Sequence, residues 1–247
     1  MRPRRRSSAG FRSRCPTGSG SRRSSPARSG APRTRWRGRG RSLRSGSPSS
    51  RRGEATAVTV EELARLTRQR LAGRRRRVVP AGPLVPAAVL LAILDRGEAR
   101  LVFAKRTERV AHHRGQVSFP GGIVDPGDPS AEAAALRESE EEVGLPRTAV
   151  EVLGALDDTE TVATRFVITP FVGLVRGPVV LRPDGHEIEK VIEVPVASLL
   201  EPRSVRVEQW ERDGVRRPVY FFDYAGETIW GATAWILKQY LDLVSGR

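Results

Sequence analysis

Regularly spaced apolar residues begin near residue 57 and first predict a helix. Within residues 57–73, Leu63, Leu66 and Leu71 recur at helical spacing behind Thr59, a residue type suited to an N-cap. A run of arginines follows this segment and ends the pattern. The first predicted element is therefore a helix over residues 57–73.

Apolar runs further along the chain predict strands. Residues 85–95 form a continuous apolar stretch with β-branched members, and residues 99–106 follow after a short polar turn, which predicts a tight hairpin. Residues 204–211 and 217–224 predict a second hairpin. Further strands are predicted at 116–119, 150–158, 165–175 and 186–196.

Helical periodicity returns at residues 129–143 and 227–244, with a short helix at 197–201. Strands that flank one central and one terminal helix predict an α/β (α+β) fold, in which a mixed β-sheet is sandwiched between helices. We expect three parts: a tail over residues 1–55, a helical lead-in over 56–79, and a folded domain over 80–247.

The charge of the chain is concentrated in the tail. The net charge is +15 overall, but residues 1–55 carry 17 arginines against one acidic residue, and residues 56–247 sum to −1. A segment of Arg, Ser, Gly and Pro has too little apolar surface to fold, so we predict disorder. Three interpretations of the tail stay open: a translated extension with little role, a tether for phosphate or nucleic acid, and an organelle transit peptide.

Cysteine content and hydropathy narrow the cellular setting. The single cysteine, Cys15, lies in the tail, so the domain has neither disulfides nor thiolate metal sites. The sequence has no apolar run of the roughly 18 residues that a membrane span needs. We expect a soluble cytoplasmic protein with no membrane partner, or a mitochondrial protein if the tail is a transit peptide; the oligomeric state stays open.

An acidic cluster stands in the central predicted helix. Glu138, Glu141 and Glu142 occupy positions i, i+3 and i+4, which share one helical face, and Glu140 points away from it. Three neighbouring carboxylates repel one another unless a cation lies between them. Hard divalent cations such as Mg²⁺ take oxygen ligands, often carboxylates together with substrate phosphates. This helix face therefore predicts a divalent metal site.

The residues around the cluster support the same use. Gly121 and Gly122 allow a tight turn and close approach of a ligand to the backbone. Asp128, which precedes a proline, is predicted as the N-cap of the helix, and Gly144 as its C-terminal stop. Arg137 is placed to pair with Glu141 at i+4 and to orient it.

The stretch as a whole resembles the Nudix box: a glycine, an acidic residue six positions on, and then Arg-Glu-x-x-Glu-Glu-x-Gly. Here these are Gly122, Asp128 and residues 137–144. Three departures are present: Asp128 replaces the usual Glu, the spacer before Arg137 is one residue longer, and Ser139 replaces an apolar residue. The first two departures are similar to the coenzyme A pyrophosphatase branch of the family.

The residues upstream of the box also resemble that branch. In 105–122, Arg106, Gly115 and the Phe-Pro-Gly-Gly of 119–122 match its pattern in spacing, whereas Thr107 stands in place of Ser or Ala and Ala111 in place of Arg. Segments at 168–173, 187–196 and 229–234 are also similar to the branch. The resemblance covers about residues 80–245.

The resemblance implies a metal-dependent hydrolase that cleaves CoA or acyl-CoA to 3′,5′-ADP and a 4′-phosphopantetheine. It implies Mg²⁺ or Mn²⁺ as cofactor, with Glu138 as the expected base and Arg137 and Glu141 as further catalytic residues. A later acid, Glu187, is the favoured additional ligand, with Asp157 and Glu160 as rivals. The full set of expected metal ligands is Glu138, Glu141, Glu142, the Gly122 carbonyl and Glu187.

Basic residues before the box are expected to receive the substrate phosphates, because guanidinium groups match phosphate geometry. The expected substrate-binding residues are Arg106, Arg109, His113, Arg114 and Gly121, with His112 as a further basic neighbour. Two alternatives stay open: a Nudix hydrolase of another nucleoside diphosphate derivative (ADP-ribose, a dinucleotide or a damaged nucleotide), and a nucleic-acid-binding protein acting through its Arg-rich tail.

Overall fold

The structure, a computed structural model, describes residues 59–108, 114–161, 165–212 and 215–246. Its first element is helix α1 (Val60–Ala72), capped by Thr59, whose hydroxyl accepts a 3.2 Å hydrogen bond from the Glu62 N–H. The predicted helix is present within its expected range. The tail of residues 1–55 lies outside the described residues.

A mixed sheet of eight strands forms the centre of the domain. Its path is β3-β2-β1-β7-β5, with β4 pairing β1, β6 pairing β7 and β8 pairing β2. Strands β1 and β7 run parallel, and the other pairs are antiparallel. The strands are β1 (Val85–Asp95), β2 (Ala99–Arg106), β3 (Val117–Ser118), β4 (Gly121–Ile123), β5 (Val150–Ala155), β6 (Thr159–Glu160), β7 (Phe166–Val175) and β8 (Ile188–Pro195).

Strand β1 shows why this sheet is buried on both faces. Its alternate residues contribute to two separate apolar clusters, Leu91 and Ile93 to one and Leu90 and Leu94 to the other. Successive side chains of a strand point to opposite faces. The continuous apolar run seen in the sequence is thus the signature of a strand with packing on both sides.

Helices cover the two faces. Helix α1, the short helix α3 (Val196–Leu200) and the terminal helix α4 (Gly231–Ser245) share one apolar cluster with the sheet. Helix α2 (Ala131–Val143) packs on the other face. The predicted mixed sheet between helices is confirmed. Two short 3₁₀ helices, Arg147–Ala149 and Pro202–Ser204, complete the helical elements of the described residues.

A second, three-stranded sheet lies beside α4, in the order β11-β10-β9. It consists of β9 (Val205–Arg212), β10 (Val215–Tyr224) and β11 (Glu227–Trp230). The predicted second hairpin is therefore present as β9 and β10. The residues predicted as the start of the last helix form strand β11 instead, because they pair with β10 before the chain turns into α4.

Two further short strands escaped prediction, and one cap was wrong. Strands β4 and β6 have too few residues for a period to be read, and each exists only through pairing with β1 or β7. The N-cap of α2 is Ser130, whose hydroxyl accepts a 3.1 Å hydrogen bond from the Ala133 N–H. Asp128 is not the cap, because its carboxylate is occupied by Arg137 and by the Asp125 N–H.

No helix among these described residues is both long enough and apolar enough to span a bilayer.

Candidate active site

Helix α2 is fixed along one side and presents its acidic residues on another. Ala134, Ala135 and Val143 are buried against the sheet, and the helix ends at Gly144, which has the left-handed φ of 68°. Ser139, at a position where an apolar residue was expected, is also buried, and its hydroxyl donates to the Ala135 carbonyl at 2.7 Å. That bond satisfies the hydroxyl, so the polar residue is accommodated.

Strand β4 brings two glycines against the acidic face. Gly121 has φ 145°, and a Cβ there would lie 2.3 Å from the Ala88 carbonyl oxygen, so a side chain is excluded. A Cβ at Gly122 would lie 2.6–2.8 Å from the carboxylate of Glu138. The strand therefore approaches α2 as closely as a backbone without side chains allows.

Glu142 is the most buried carboxylate of the cluster, with 7% of its surface exposed. Its Oε2 accepts a 3.0 Å hydrogen bond from the Gly121 N–H, and its Oε1 lies 3.6 Å from a guanidinium nitrogen of Arg106. Burial raises the pKa of Glu142 to about 7, against the opposing effects of these two contacts, and the nearby charge of Glu138 adds to the rise.

The guanidinium of Arg137 donates hydrogen bonds to several groups around the cluster. It binds Asp128 through two hydrogen bonds of 3.0 and 2.9 Å and also donates to the Ile123 carbonyl at 3.3 Å. A further nitrogen of the same group donates to Glu138 at 2.9 Å and to Glu141 at 3.1 Å. The predicted pairing with Glu141 is present, and the same guanidinium also holds Glu138.

Opposing effects act on the pKa of Glu138. Burial raises its pKa, Arg137 opposes that rise, and the neighbouring charges of Glu141 and Asp125 add to it. A carboxylate with a raised pKa is a better proton acceptor. The role of Glu138 as the base, which the family resemblance implies, stays a prediction.

Glu187 reaches the cluster through Arg106. Its carboxylate accepts a 2.8 Å hydrogen bond from the Arg106 guanidinium, and its charge contributes to the raised pKa of Glu142. Asp184 anchors the loop before it by accepting hydrogen bonds from the backbone N–H groups of His186, Glu187 and Ile188. Although burial opposes it, these donors hold the pKa of Asp184 below its usual value.

The other candidate acids have different surroundings. Glu140 lies on the exposed side of α2, as its position in the sequence predicted, and it pairs with Arg147 at 2.7 Å. Asp157 accepts hydrogen bonds from the side chain of Arg74 and the backbone of Arg77, on the segment after α1. Glu160 is exposed on β6. The contacts of Glu187 thus link it to the acidic helix, whereas those of Asp157 link it to another segment.

The donor set suits a hard divalent cation, although no three His, Cys, Asp or Glu side chains within the described ranges form a ready-made ligand group. The groups that meet here are carboxylate oxygens beside a glycine backbone, which is the chemistry that Mg²⁺ and Mn²⁺ prefer. Burial and mutual repulsion raise the pKa values of Glu138 and Glu142, so positive charge placed between them would stabilise their ionised forms. The residues present therefore fit such an ion.

Of the residues expected to bind phosphate, two contact Glu142, one lies beside the second sheet, and the others lie outside the described residues. Arg106 lies against Glu142 and Glu187, and its Nε is buried without a hydrogen-bond partner in the described part of the chain. Arg114 lines a groove beside the second sheet. The Gly121 N–H is occupied by Glu142. Arg109, His112 and His113 lie outside the described residues.

Two features of the site escaped sequence reasoning. Asp128 is the bidentate partner of Arg137, nine residues away, rather than a helix cap. The aromatic groove next to Arg114 contains Trp210 and Trp230, which lie on different strands. The alternation of side chains along β9 would have placed Trp210 on one face of its sheet. The local sequence does not indicate which residues of other strands lie next to this side chain.

Comparison with known proteins finds a family model and similar chains. A family model described as NUDIX domain matches residues 84–216. The uncharacterized Nudix hydrolase NudL of Photorhabdus laumondii is 40% identical over 153 residues, which cover 62% of this chain and 81% of that protein. The protein of the same name from Yersinia enterocolitica is 39% identical over 153 residues, covering 62% and 78%. Among solved structures, a MutT protein from Methanosarcina mazei Go1 has 14% identity and a TM-score of 0.43 over 70% of this chain and 97% of that chain.

The matched region includes the glycine strand and the whole acidic helix. The extent of the family match and the two NudL relatives show that this chain belongs to the Nudix hydrolase family.

Proposed function

We propose that this Nudix hydrolase cleaves the diphosphate of coenzyme A or acyl-CoA to 3′,5′-ADP and 4′-phosphopantetheine or its acyl derivative. Nudix hydrolases act on small-molecule substrates and generally use divalent metal ions. The proposal adds the substrate class, on the basis of the block at residues 105–122 that precedes the box.

One observation carries the proposal: this upstream block contacts the acidic helix directly. Arg106, from the start of the block, lies 3.6 Å from Glu142, and Gly121, from its end, donates a 3.0 Å hydrogen bond to the same carboxylate. The segment that resembles the CoA branch therefore borders the carboxylates that would carry out hydrolysis. A substrate diphosphate at the carboxylates would necessarily meet this block.

The proposed ligands of the metal are Glu138, Glu141, Glu142, the Gly122 carbonyl and Glu187. Held by these groups, a divalent ion such as Mg²⁺ or Mn²⁺ would supply positive charge against the diphosphate and would acidify water. Arg137 holds Glu138 and Glu141 in position, and Glu138 accepts the proton of the attacking water on a carboxylate oxygen. Arg106 contacts the substrate phosphate, and its buried Nε is a donor to which no described residue is bonded.

The reaction is a balanced hydrolysis. The oxygen of water forms a bond to one phosphorus of the diphosphate, and the bond from that phosphorus to the bridging oxygen breaks. Glu138 takes one proton of the water, and the bridging oxygen leaves as part of the second phosphomonoester. The two products are 3′,5′-ADP and the phosphopantetheine.

Purified full-length protein incubated with CoA and Mg²⁺ or Mn²⁺ tests this proposal, with products separated by chromatography and identified by mass. We expect 3′,5′-ADP to accumulate at the rate at which CoA disappears. A panel of ADP-ribose, a dinucleoside polyphosphate and an oxidised nucleoside triphosphate serves as comparison. Absence of 3′,5′-ADP together with rapid turnover of another panel member would refute the CoA assignment and support the broader Nudix alternative.

The expected location of the enzyme is the cytoplasm. Fractionation of the source cells with an antibody to the folded domain tests this, and enrichment in mitochondria would favour the transit-peptide interpretation of the tail.

A further inference from the structure

A groove of about 500 Å³ lies where the second sheet meets residues 114–116. Trp210, Phe221 and Trp230 give it an aromatic surface. Phe221 and Trp230 are direct partners on adjacent strands, with ring centroids 6.3 Å apart and planes within 8°, and Trp210 lies 6.2 Å from Trp230. The next residue along β10, Phe222, joins the core cluster shared with α4, so these three rings face away from that helix.

The two tryptophan rings remain open to a ligand, whereas Phe221 is buried beneath them. Trp210 and Trp230 are 48% and 37% exposed, although each is a large apolar residue of a kind that is usually covered. Flat aromatic surfaces that stay exposed bind planar rings by stacking.

Cationic groups border the rings. The Arg206 guanidinium lies 4.2 Å from the centroid of Phe221 and also pairs with Glu208, and Arg114 is another residue that lines the groove. A planar guanidinium over an aromatic ring is suited to contact both a stacked base and a phosphate. These contacts favour a ligand that carries a ring and negative charge together.

The carboxylate in the groove is neutralised by two lysines. Glu227 lies 3.1 Å from Lys105 and 3.3 Å from Lys190, and although burial opposes it, these contacts lower the pKa of Glu227. A second carboxylate, Glu208, contacts two groove-lining residues of β9: it pairs with Arg206 and accepts a 2.8 Å hydrogen bond from the Trp210 indole N–H. Both carboxylates are therefore paired with cationic side chains. Charge complementarity thus favours an anionic ligand over a neutral chain.

The groove and the carboxylate cluster lie at the same end of β2. Lys105 contacts Glu227 in the groove, and the next residue, Arg106, contacts Glu142 in the cluster. The Arg106 N–H donates a 3.0 Å hydrogen bond to the carbonyl of Gln116, which lines the groove. A substrate whose diphosphate lies against Arg106 would reach the groove by passing this strand end.

We propose that the groove binds the nucleoside end of the substrate, with the adenine ring stacked on Trp230 and Trp210 and the ribose phosphate facing Arg206 and Arg114. The inference rests on the proposed function, because it concerns the same substrate. The pantetheine and acyl end has no planar ring and no phosphate beyond the diphosphate. If this end of the substrate occupied the groove, the aromatic rings would have no ring to stack on and the cations would have no phosphate to bind.

Binding of 3′,5′-ADP to the full-length protein in EDTA tests the inference without turnover. We expect Trp230→Ala and Trp210→Ala each to weaken the affinity by about tenfold, which is the scale of losing one stacked ring. Titration calorimetry gives the dissociation constants, and circular dichroism checks that each variant is folded. Trp230→Phe, which keeps a ring, should recover most of the affinity.

Trp235→Ala is the matched control. Trp235 is also exposed, at 41%, but it packs 5.8 Å from Tyr220, a side chain that joins the core cluster with α4 rather than the groove. We expect 3′,5′-ADP to bind this variant as it binds the unaltered protein. An equal loss in all three alanine variants would show a general effect on folding and would overturn the inference.

Three results separate the possibilities. Unchanged 3′,5′-ADP affinity in the Trp210 and Trp230 variants, with CoA hydrolysis intact, would overturn the groove assignment and leave the proposed function standing. Weakened 3′,5′-ADP binding in these variants, with no CoA hydrolysis, would support the groove as an adenine-nucleotide site and reject CoA. A concentration-dependent dimer in sedimentation that Trp230→Ala abolishes would show a subunit interface instead, and would overturn the inference.

Discussion

The backbone N–H of Gly121 donates a 3.0 Å hydrogen bond to Oε2 of Glu142, across 21 positions of sequence. This hydrogen bond connects strand β4 to the last turn of α2 and holds a buried carboxylate in the cluster. Strand β4 is itself fixed by pairing with β1, the central strand of the sheet. The geometry of the acidic site is therefore set by the core of the domain.

Replacing Glu142 by Gln should lower kcat by at least about 100-fold, because the amide keeps the shape but loses the charge that a divalent ion needs. Steady-state kinetics with saturating Mg²⁺ or Mn²⁺ gives the measurement. Glu140→Gln is the matched control, since Glu140 pairs with Arg147 on the exposed side of the same helix. Full activity of Glu142→Gln, or full activity of the unaltered enzyme in excess EDTA, would show that the cluster is not a metal site.

The same Gln substitution should stabilise the metal-free protein at alkaline pH. The pKa of Glu142 is raised to about 7 from an ordinary 4.5, so the folded state binds more protons than the unfolded chain between those values. Its contribution to stability is therefore fully present below about pH 4.5 and is lost as the pH rises through about 7. In EDTA at pH 8, Glu142→Gln should exceed the unaltered protein by up to about 3 kcal/mol in the free energy of unfolding.

Urea unfolding at pH 5 and pH 8 checks this effect, and the difference between the two proteins should shrink to about 1 kcal/mol or less at pH 5. A difference that does not change with pH would mean that ionisation of Glu142 is not its cause.

Arg137→Ala, which removes the guanidinium, should lower kcat by about 10- to 100-fold, because Glu138 and Glu141 lose the group that orients them. Arg137→Lys should recover little of the loss, since an ammonium cannot form the two parallel hydrogen bonds to Asp128. Kinetics at several metal concentrations separates weaker metal binding from slower chemistry.

Arg147→Ala, which breaks the exposed pair with Glu140, is the control for Arg137 and should leave kcat within about twofold. Equal activity of Arg137→Ala and Arg147→Ala would refute a positioning role for Arg137.

Adding a methyl group at the two glycines of β4 should have different consequences. Gly121→Ala meets the Ala88 backbone at 2.3 Å and a positive φ, so we expect a loss of about 3 kcal/mol or more in unfolding free energy. The three atoms nearest to a Cβ at Gly122 all belong to the movable carboxylate of Glu138, so in Gly122→Ala activity should fall much more than stability. Gly127→Ala, with nothing within 4 Å of the added Cβ, serves as the control for both measurements.

Deleting residues 1–55 should leave CoA hydrolysis unchanged, because the elements of the site all lie beyond residue 80. If the Arg-rich tail is a phosphate or nucleic-acid tether, the deletion should abolish binding to single-stranded RNA at low salt. Filter binding at two salt concentrations, beside the hydrolysis assay, measures both properties. RNA binding by the full chain together with an absence of hydrolysis on every panel substrate would favour the nucleic-acid alternative.

Much of the architecture was predictable because local residue patterns carry it. The apolar run of β1 and the hairpin to β2 were predicted at the bounds that the structure gives, since burial on both faces demands an unbroken apolar strand. The acidic spacing on α2 and its stop at Gly144 were also predictable, because a helical period and a left-handed glycine are local properties. Asp128 was misassigned because a residue before a proline resembles a cap, and its remote partner Arg137 leaves no local trace.

The sequence by itself determined that this protein has strands buried on both faces, an acidic helix preceded by two glycines, and a family pattern. Each of these follows from spacing along the chain, which the 3.6- and 2-residue periods of the backbone convert into faces. Only the tertiary structure decided that Gly121 holds Glu142, that Arg106 meets both Glu142 and Glu187, and that Trp210 and Trp230 share a groove. These contacts join residues from separate elements, and the packing of the sheet, rather than any local preference, brings them together.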